Sequence, residues 1–172
     1  MADHFDTDIE KANQLMADAG YSESNKLEIE IITLTSSAGW VPACEVLKEE
    51  LEQSYFTVTI TEVMDMTRYF AYDFDLSILA ISLPATTNGY SVLFDTPTGL
   101  NLCGLEDPDL LALFGNTNDE ASAQACQKAA TETLAYIPLA YSAAFFAADA
   151  DLTTGYYNAD SSNWDFCTFA WN

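Results

Sequence analysis

A serine or cysteine nucleophile needs a base beside it, and the chain offers one histidine, His4, in an N-terminal stretch of the kind that frays. Ser-His and Cys-His chemistry therefore has nothing to work with. Asp73 and Asp75, in Asp-Phe-Asp, have the spacing some sugar-nucleotide transferases use to hold a divalent metal, because alternate residues of a strand share a face. Three residues are a weak signal in a chain with 27 acidic side chains, and a solvated strand start accounts for them better. Asp149, Asp151, Thr153 and Asp160 have part of the pattern of a calcium loop, but Thr154 stands where the loop needs glycine and Asp160 where it needs glutamate. A turn between strands fits better. Carboxylate pairs for glycoside chemistry are guaranteed by number, and nothing singles one out.

Cys44, Cys103, Cys126 and Cys167 lie far apart with no C-x-x-C pair, so a zinc site is not expected. Cys44 and Cys126 fall on apolar helix faces and read as small buried hydrophobes. Cys103 and Cys167, in less regular stretches, could pair in an oxidising compartment. No cofactor is called for. The 5 basic residues against 27 acidic ones leave a net charge of −22, which repels a phosphate backbone or an anionic bilayer and excludes nucleic-acid binding. No stretch approaches the ~20 apolar residues of a membrane span, and Met1–Phe5 has no signal-peptide character.

What remains is recognition, and the elements that would position it follow from periodicity. Thr7 and Glu10 have capping-box spacing ahead of an apolar face of Ile9, Ala12, Leu15, Met16 and Ala19 that Gly20 can end. Leu27 to Leu34 alternates as a strand, with Glu28 and Glu30 on the solvated side. A second helix carries Trp40, Ala43, Cys44, Leu47 and Leu51 on one side, with Pro42 in its first turn. Thr57 to Val63 alternates again; Met66 to Tyr72 is a short amphipathic segment; Phe74 to Leu83 reads as a central strand covered on both sides. Asp107–Pro108 opens a helix ended by Gly115, and Thr117 with Glu120 boxes another, with Ala123, Cys126, Ala130 and Leu134 inward. Tyr136 to Tyr141 and Ala143 to Ala148 read as strands near a sheet edge, since Pro138 cannot donate to a ladder.

Helices alternating with strands imply an α/β fold with a mixed, mostly parallel sheet and helices on both faces. In such sheets ligands sit beyond the carboxyl ends of the strands. The loops Ser36–Trp40 and Ser82–Gly104 should then rim one face, and Ser36, Ser37, Trp40, Ser82, Asn88, Tyr90 and Asn101 are the candidate ligand-binding residues. Trp40 reads equally as an anchor of its helix to the core.

Several segments in order resemble the C-terminal part of the family 5 extracellular solute-binding proteins, the dipeptide and oligopeptide receptors of ABC importers. They are Asp8-Ile9-Glu10-Lys11-Ala12 with Ala19-Gly20-Tyr21, Leu27 to Ser37, Val46-Leu47-Lys48-Glu49-Glu50-Leu51 before Thr57-Val58-Thr59-Ile60, Phe74-Asp75-Leu76, Asn101-Leu102-Cys103-Gly104, Asp107-Pro108-Asp109-Leu110 and Ile137-Pro138-Leu139. The resemblance implies one three-layer lobe of a type II periplasmic-binding-protein-like fold over residues 1–155, with a tail at 156–172 that returns to an absent first lobe. It further implies a peptide or other small solute as ligand, an ABC permease as partner, and an extracellular, cell-surface or periplasmic setting with any signal or lipid anchor outside this chain. Two departures stand out. The Gly-Trp-x-x-Asp-like stretch by which peptide receptors clamp a free amino group is replaced by Ala80-Ile81-Ser82-Leu83-Pro84, and the usual glycine before the second strand by Ser54 or Tyr55. The rival expectations are a carboxylate- or metal-dependent enzyme using Asp73 and Asp75, and a non-catalytic surface interaction domain.

Overall fold

The structure is a computed structural model that describes residues 7–36, 39–81, 83, 89–95, 100–140, 149–153, 157–158, 163–164 and 170–171. The chain divides into two compact units, Met1–Ile81 and Ser82–Asn172.

In the first unit the order is α1 (Ile9–Asp18), β1 (Leu27–Leu34), α2 (Val41–Leu51), β2 (Phe56–Val63), α3 (Thr67–Phe70) and β3 (Leu76–Ile78). The cap of α1 is Asp8 rather than Thr7: its carboxylate accepts the Lys11 N–H at 2.9 Å, and a carboxylate at a helix start also meets the positive end of the dipole. Gly20 closes the helix at φ +93°, as expected of a residue with no Cβ penalty. The three strands are parallel in the order β2-β1-β3, with Ile29 opposite Val58, Ile31 opposite Ile60 and Thr33 opposite both Glu62 and Ile78.

The central strand is therefore β1, not the segment after Phe74. Its Ile31 and Ile32 point to opposite faces and are both wholly buried. β3 is short because the Glu30 N–H is taken at 2.8 Å by the Asp75 carboxylate and not by a main-chain carbonyl, so the ladder starts one residue on. On one face of the sheet, Ile31, Val58 and Ile78 form a buried cluster with Cys44 of α2, flanked by Ile29, Trp40, Leu47, Leu51, Phe56 and Ile60. Each such side chain contributes about 1.5–3 kcal/mol of burial, which fixes α2 against the sheet. Tyr55 enters β2 at φ +54°, taking the left-handed position for which glycine was expected.

The second unit holds a 3-10 turn (Gly89–Leu93), α4 (Pro108–Gly115), α5 (Glu120–Glu132), and the two-residue strands β4 (Leu152–Thr153), β5 (Tyr157–Asn158), β6 (Asn163–Trp164) and β7 (Ala170–Trp171). Asp107 caps α4 as expected, accepting from Asp109 and Leu110. The box of α5 is Asp119 with Ser122, not Thr117 with Glu120; Thr117 instead turns its hydroxyl to the Cys126 thiol at 2.8 Å. Phe94 stacks on Phe114 and meets Tyr136 edge-on, with centroids 5.8 and 5.4 Å apart. Residues 136–140 are not a strand. Pro138 supplies no donor, and the Tyr136 hydroxyl ties the segment to Leu100 and Leu102. The strand expected at Ala143–Ala148 lies outside the described residues, as does Cys167; Cys103 is a free thiol. Within 156–172, β5 pairs with β6, and β7 pairs antiparallel with β4.

Candidate functional site

At the carboxyl end of the sheet, β1 and β2 are knitted together by Thr35, whose N–H and hydroxyl both donate to the Val63 carbonyl, at 2.9 and 3.4 Å. Beyond this knot lies exposed Ser36, and Trp40 is the residue that starts α2. Trp40 is half-buried and packs on the Ile31–Cys44–Val58–Ile78 cluster. It anchors its helix to the sheet. Burial pushes the Cys44 thiol upward in pKa, with the carboxylates of Glu45 and Glu62 adding to the effect.

In the second unit Tyr90 lies half-buried in the 3-10 turn, its hydroxyl accepting from Gln127 at 3.5 Å. Asn101 is buried, and its amide donates to the carbonyls of Phe94 and Leu105 at 3.2 and 2.9 Å, while its oxygen accepts from the Cys103 thiol at 3.3 Å. These contacts organise its own loop. Ser37, Ser82 and Asn88 lie outside the described residues. Of the candidates, then, Ser36 and Trp40 belong to the first unit, between β1 and α2, and Tyr90 and Asn101 to the second.

The acidic pair offered for metal chemistry does not act as a pair. Asp73 lies before β3, not in it, and accepts from Arg68 Nε at 3.0 Å; Asp75 is engaged with the Glu30 N–H. Among the described residues no three of His, Cys, Asp and Glu gather as metal ligands would. Arg68 is the residue that sequence reasoning passed over, although it is the chain's one arginine among five basic residues. It forks onto Glu30 and holds that carboxyl down at about 2, with a hydrogen bond from Thr61 helping. Glu28, Ile29, Glu30, Thr59 and Asp75 line an open cleft of about 340 Å³ around this group.

No protein-family model matches the sequence, and no curated protein matches it. Solved structures do match. NikA from Staphylococcus aureus, in complex with Ni(L-His)2, aligns over 75% of this chain at TM-score 0.62 and 17% identity. OppA from Haemophilus influenzae, in complex with RPPGFSPFR, aligns over 74% at 0.57 and 20%. The ABC transporter substrate-binding protein CtaP from Listeria monocytogenes aligns over 76% at 0.61 and 18%. The fold is that of one lobe of an ABC-transporter solute-binding protein. The lobe spans 30, 26 and 28% of those three chains, respectively. The matches fall in the class of receptors that the ordered sequence segments resemble. No helix among the described residues is long and apolar enough to cross a membrane.

Proposed function

We propose that this chain is one wall of a solute-binding cleft: a receptor lobe for ABC-transporter import that holds a small solute, a peptide foremost, and performs no chemistry on it. The observation that carries the reading is the parallel order β2-β1-β3 with the Ser36–Trp40 turn at the carboxyl end of its central strand. The residues proposed to contact solute are Ser36, Ser37 and Trp40 of the first unit and Ser82, Asn88, Tyr90 and Asn101 of the second. Residues 1–155 form the lobe, and 156–172 return towards the first lobe of the same protein. The remaining partner is the membrane permease, and the setting is extracellular, cell-surface or periplasmic. The matched NikA holds Ni(L-His)2 and the matched OppA holds RPPGFSPFR, so capture of a small solute is what supports the reading.

A cleft with one wall desolvates little of its ligand, so the chain alone should bind weakly. Native mass spectrometry with a peptide library tests this: capture at about millimolar concentration is expected. Nanomolar capture by this chain alone would overturn the one-wall reading.

A further inference from the structure

We infer that the outer edge of β2 is a docking edge for an extended, lysine-bearing peptide segment, which adds to the sheet as a further antiparallel strand. The main-chain bonds fix which way β2 faces. At its two ends the Leu27 N–H donates to the Tyr55 carbonyl and the Thr35 N–H to the Val63 carbonyl. Register between them is one to one with no bulge, and in a ladder alternate residues point to the same neighbour. Thr57, Thr59 and Thr61 therefore bond β1 as Tyr55 and Val63 do. Phe56, Val58, Ile60 and Glu62 turn their N–H and C=O groups the other way, and among the described residues no strand pairs with that side.

One outward donor is engaged: the Val58 N–H donates to the Glu52 carboxylate at 3.1 Å. That bond marks where an incoming strand must stop. Beyond it Ile60 and Glu62 offer two complete sets of main-chain donor and acceptor. Sheets ordinarily shield such an edge with lysine, proline, a bulge or a covering element. β2, Phe-Thr-Val-Thr-Ile-Thr-Glu-Val, carries none of the first three. Charge selects the occupant. Glu62 is the one ionisable side chain of β2 and is exposed at the open end of the edge, whereas at the closed end Lys48 stands 3.9 Å from Glu52. In an antiparallel hydrogen-bonded pair the two side chains share a face. The residue opposite Glu62 thus stands beside its carboxylate, where a lysine offsets it, and the residue two further on stands beside Ile60, where an apolar side chain extends the contact. A second copy fits less well: about a two-fold axis at Ile60 it sets Val58 against Glu62, and each chain carries −22.

The test adds the blocked pentapeptide acetyl-Thr-Lys-Thr-Val-Thr-amide to the full chain in about 20 mM salt and follows amide chemical shift and hydrogen exchange. Saturable shifts and slowed exchange at Ile60 and Glu62 are expected. N-methylation of the peptide's lysine and valine, whose N–H groups would face β2, should abolish them. N-methylation of the middle threonine, whose N–H would face away, should leave affinity within about twofold. Glutamate in place of the lysine should weaken binding about fivefold, and Glu62→Gln should remove that gap. Absence of saturable binding, or equal loss from either methylation, overturns strand addition. Equal affinity of the lysine and glutamate peptides for the parent chain, or a gap that survives Glu62→Gln, overturns the occupant. Self-association of the peptide-free chain with slowed exchange at the same amides does so too, and makes a second copy the occupant. Shifts at Ser36 and Trp40 in place of Ile60 and Glu62 overturn this edge and leave the solute-cleft reading standing.

Discussion

Arg68 grips Glu30 with a two-pronged hydrogen bond, Nη1 to Oε1 at 3.1 Å and Nη2 to Oε2 at 2.6 Å, and the same guanidinium reaches Asp73 through Nε at 3.0 Å. One side chain so ties α3 and the turn before β3 to the central strand. A lysine carries the charge without the fork. Arg68→Lys should therefore lower the thermal midpoint nearly as far as Arg68→Met. Both should exceed Lys128→Met, whose partner Glu132 stands 3.8 Å away on open surface. Calorimetric melts decide it, and an Arg68→Lys protein as stable as the parent would remove the fork from the account.

The same pair sets a pH dependence. The Glu30 carboxyl lies at about 2 in the folded chain against 4.5 ordinarily, chiefly through the Arg68 hydrogen bond. A depressed folded-state value means the contribution is complete above pH 4.5 and is lost as pH falls from there to 2. Other carboxylates titrate in this window too, and their protonation relieves repulsion, so the informative quantity is the difference from Glu30→Gln. Urea midpoints of parent and variant should converge as pH falls through that window. Parallel curves would show that Glu30 titrates normally.

The helices and the first two strands were legible because each has apolar residues at a single period and a polar opposite face. Ile31 with Val58, and Leu47 with Leu51, meet across α2 and the sheet as their spacing requires. The boundaries were less legible where two residues competed for one role. Asp8 outcompetes Thr7, and Asp119 with Ser122 outcompetes Thr117 with Glu120, because the winner depends on which side chain reaches the first free N–H groups. The central position of β1 was hidden because strand order is decided by pairing between distant segments, and the Asp75 carboxylate that curtails β3 acts across 45 residues. Asn101 looked like a ligand contact because a polar residue in a long loop gives no sign of facing inward to hold Phe94 and Leu105. The break between β1 and α2 was visible as Ser36, Ser37 and Gly39 after an alternating strand.

Tyr136 braces the Leu100–Leu102 turn from both sides: its hydroxyl donates to the Leu100 carbonyl at 2.9 Å and accepts the Leu102 N–H at 2.8 Å. Phenylalanine would keep the edge-on contact with Phe94 and leave the Leu102 N–H and the Leu100 carbonyl only the 2.9 Å hydrogen bond between them. Tyr136→Phe should cost about 0.5–1.5 kcal/mol in urea unfolding and speed amide exchange at Leu102. A loss confined to stability, with Leu102 exchange unchanged, would place the effect elsewhere.

Leu134 follows α5 at φ +56° with 61% of its surface exposed, so it bears the cost of a left-handed backbone and buries little in return. That conformation costs an L-residue about 1–2 kcal/mol, and glycine's extra chain entropy about 0.5–1 kcal/mol. Leu134→Gly should thus stabilise by about 0.5–1 kcal/mol, and Leu134→Ala, which keeps the strain, should not. Chemical denaturation of the two variants separates these outcomes.

A net charge of −22 on 172 residues makes the folded chain repel itself. Salt screens that repulsion over a Debye length of about 10 Å at 0.1 M and about 3 Å at 1 M, so most of the relief comes early. The thermal midpoint should rise by several degrees up to about 0.3 M sodium chloride and then flatten. A rise continuing linearly to molar salt would instead point to exclusion of salt from the surface, which strengthens apolar burial without regard to charge. Arg68–Glu30 works in the opposite sense, since screening weakens an ion pair. It is one partly buried pair against a surplus of exposed carboxylates, and the net slope at low salt should be positive.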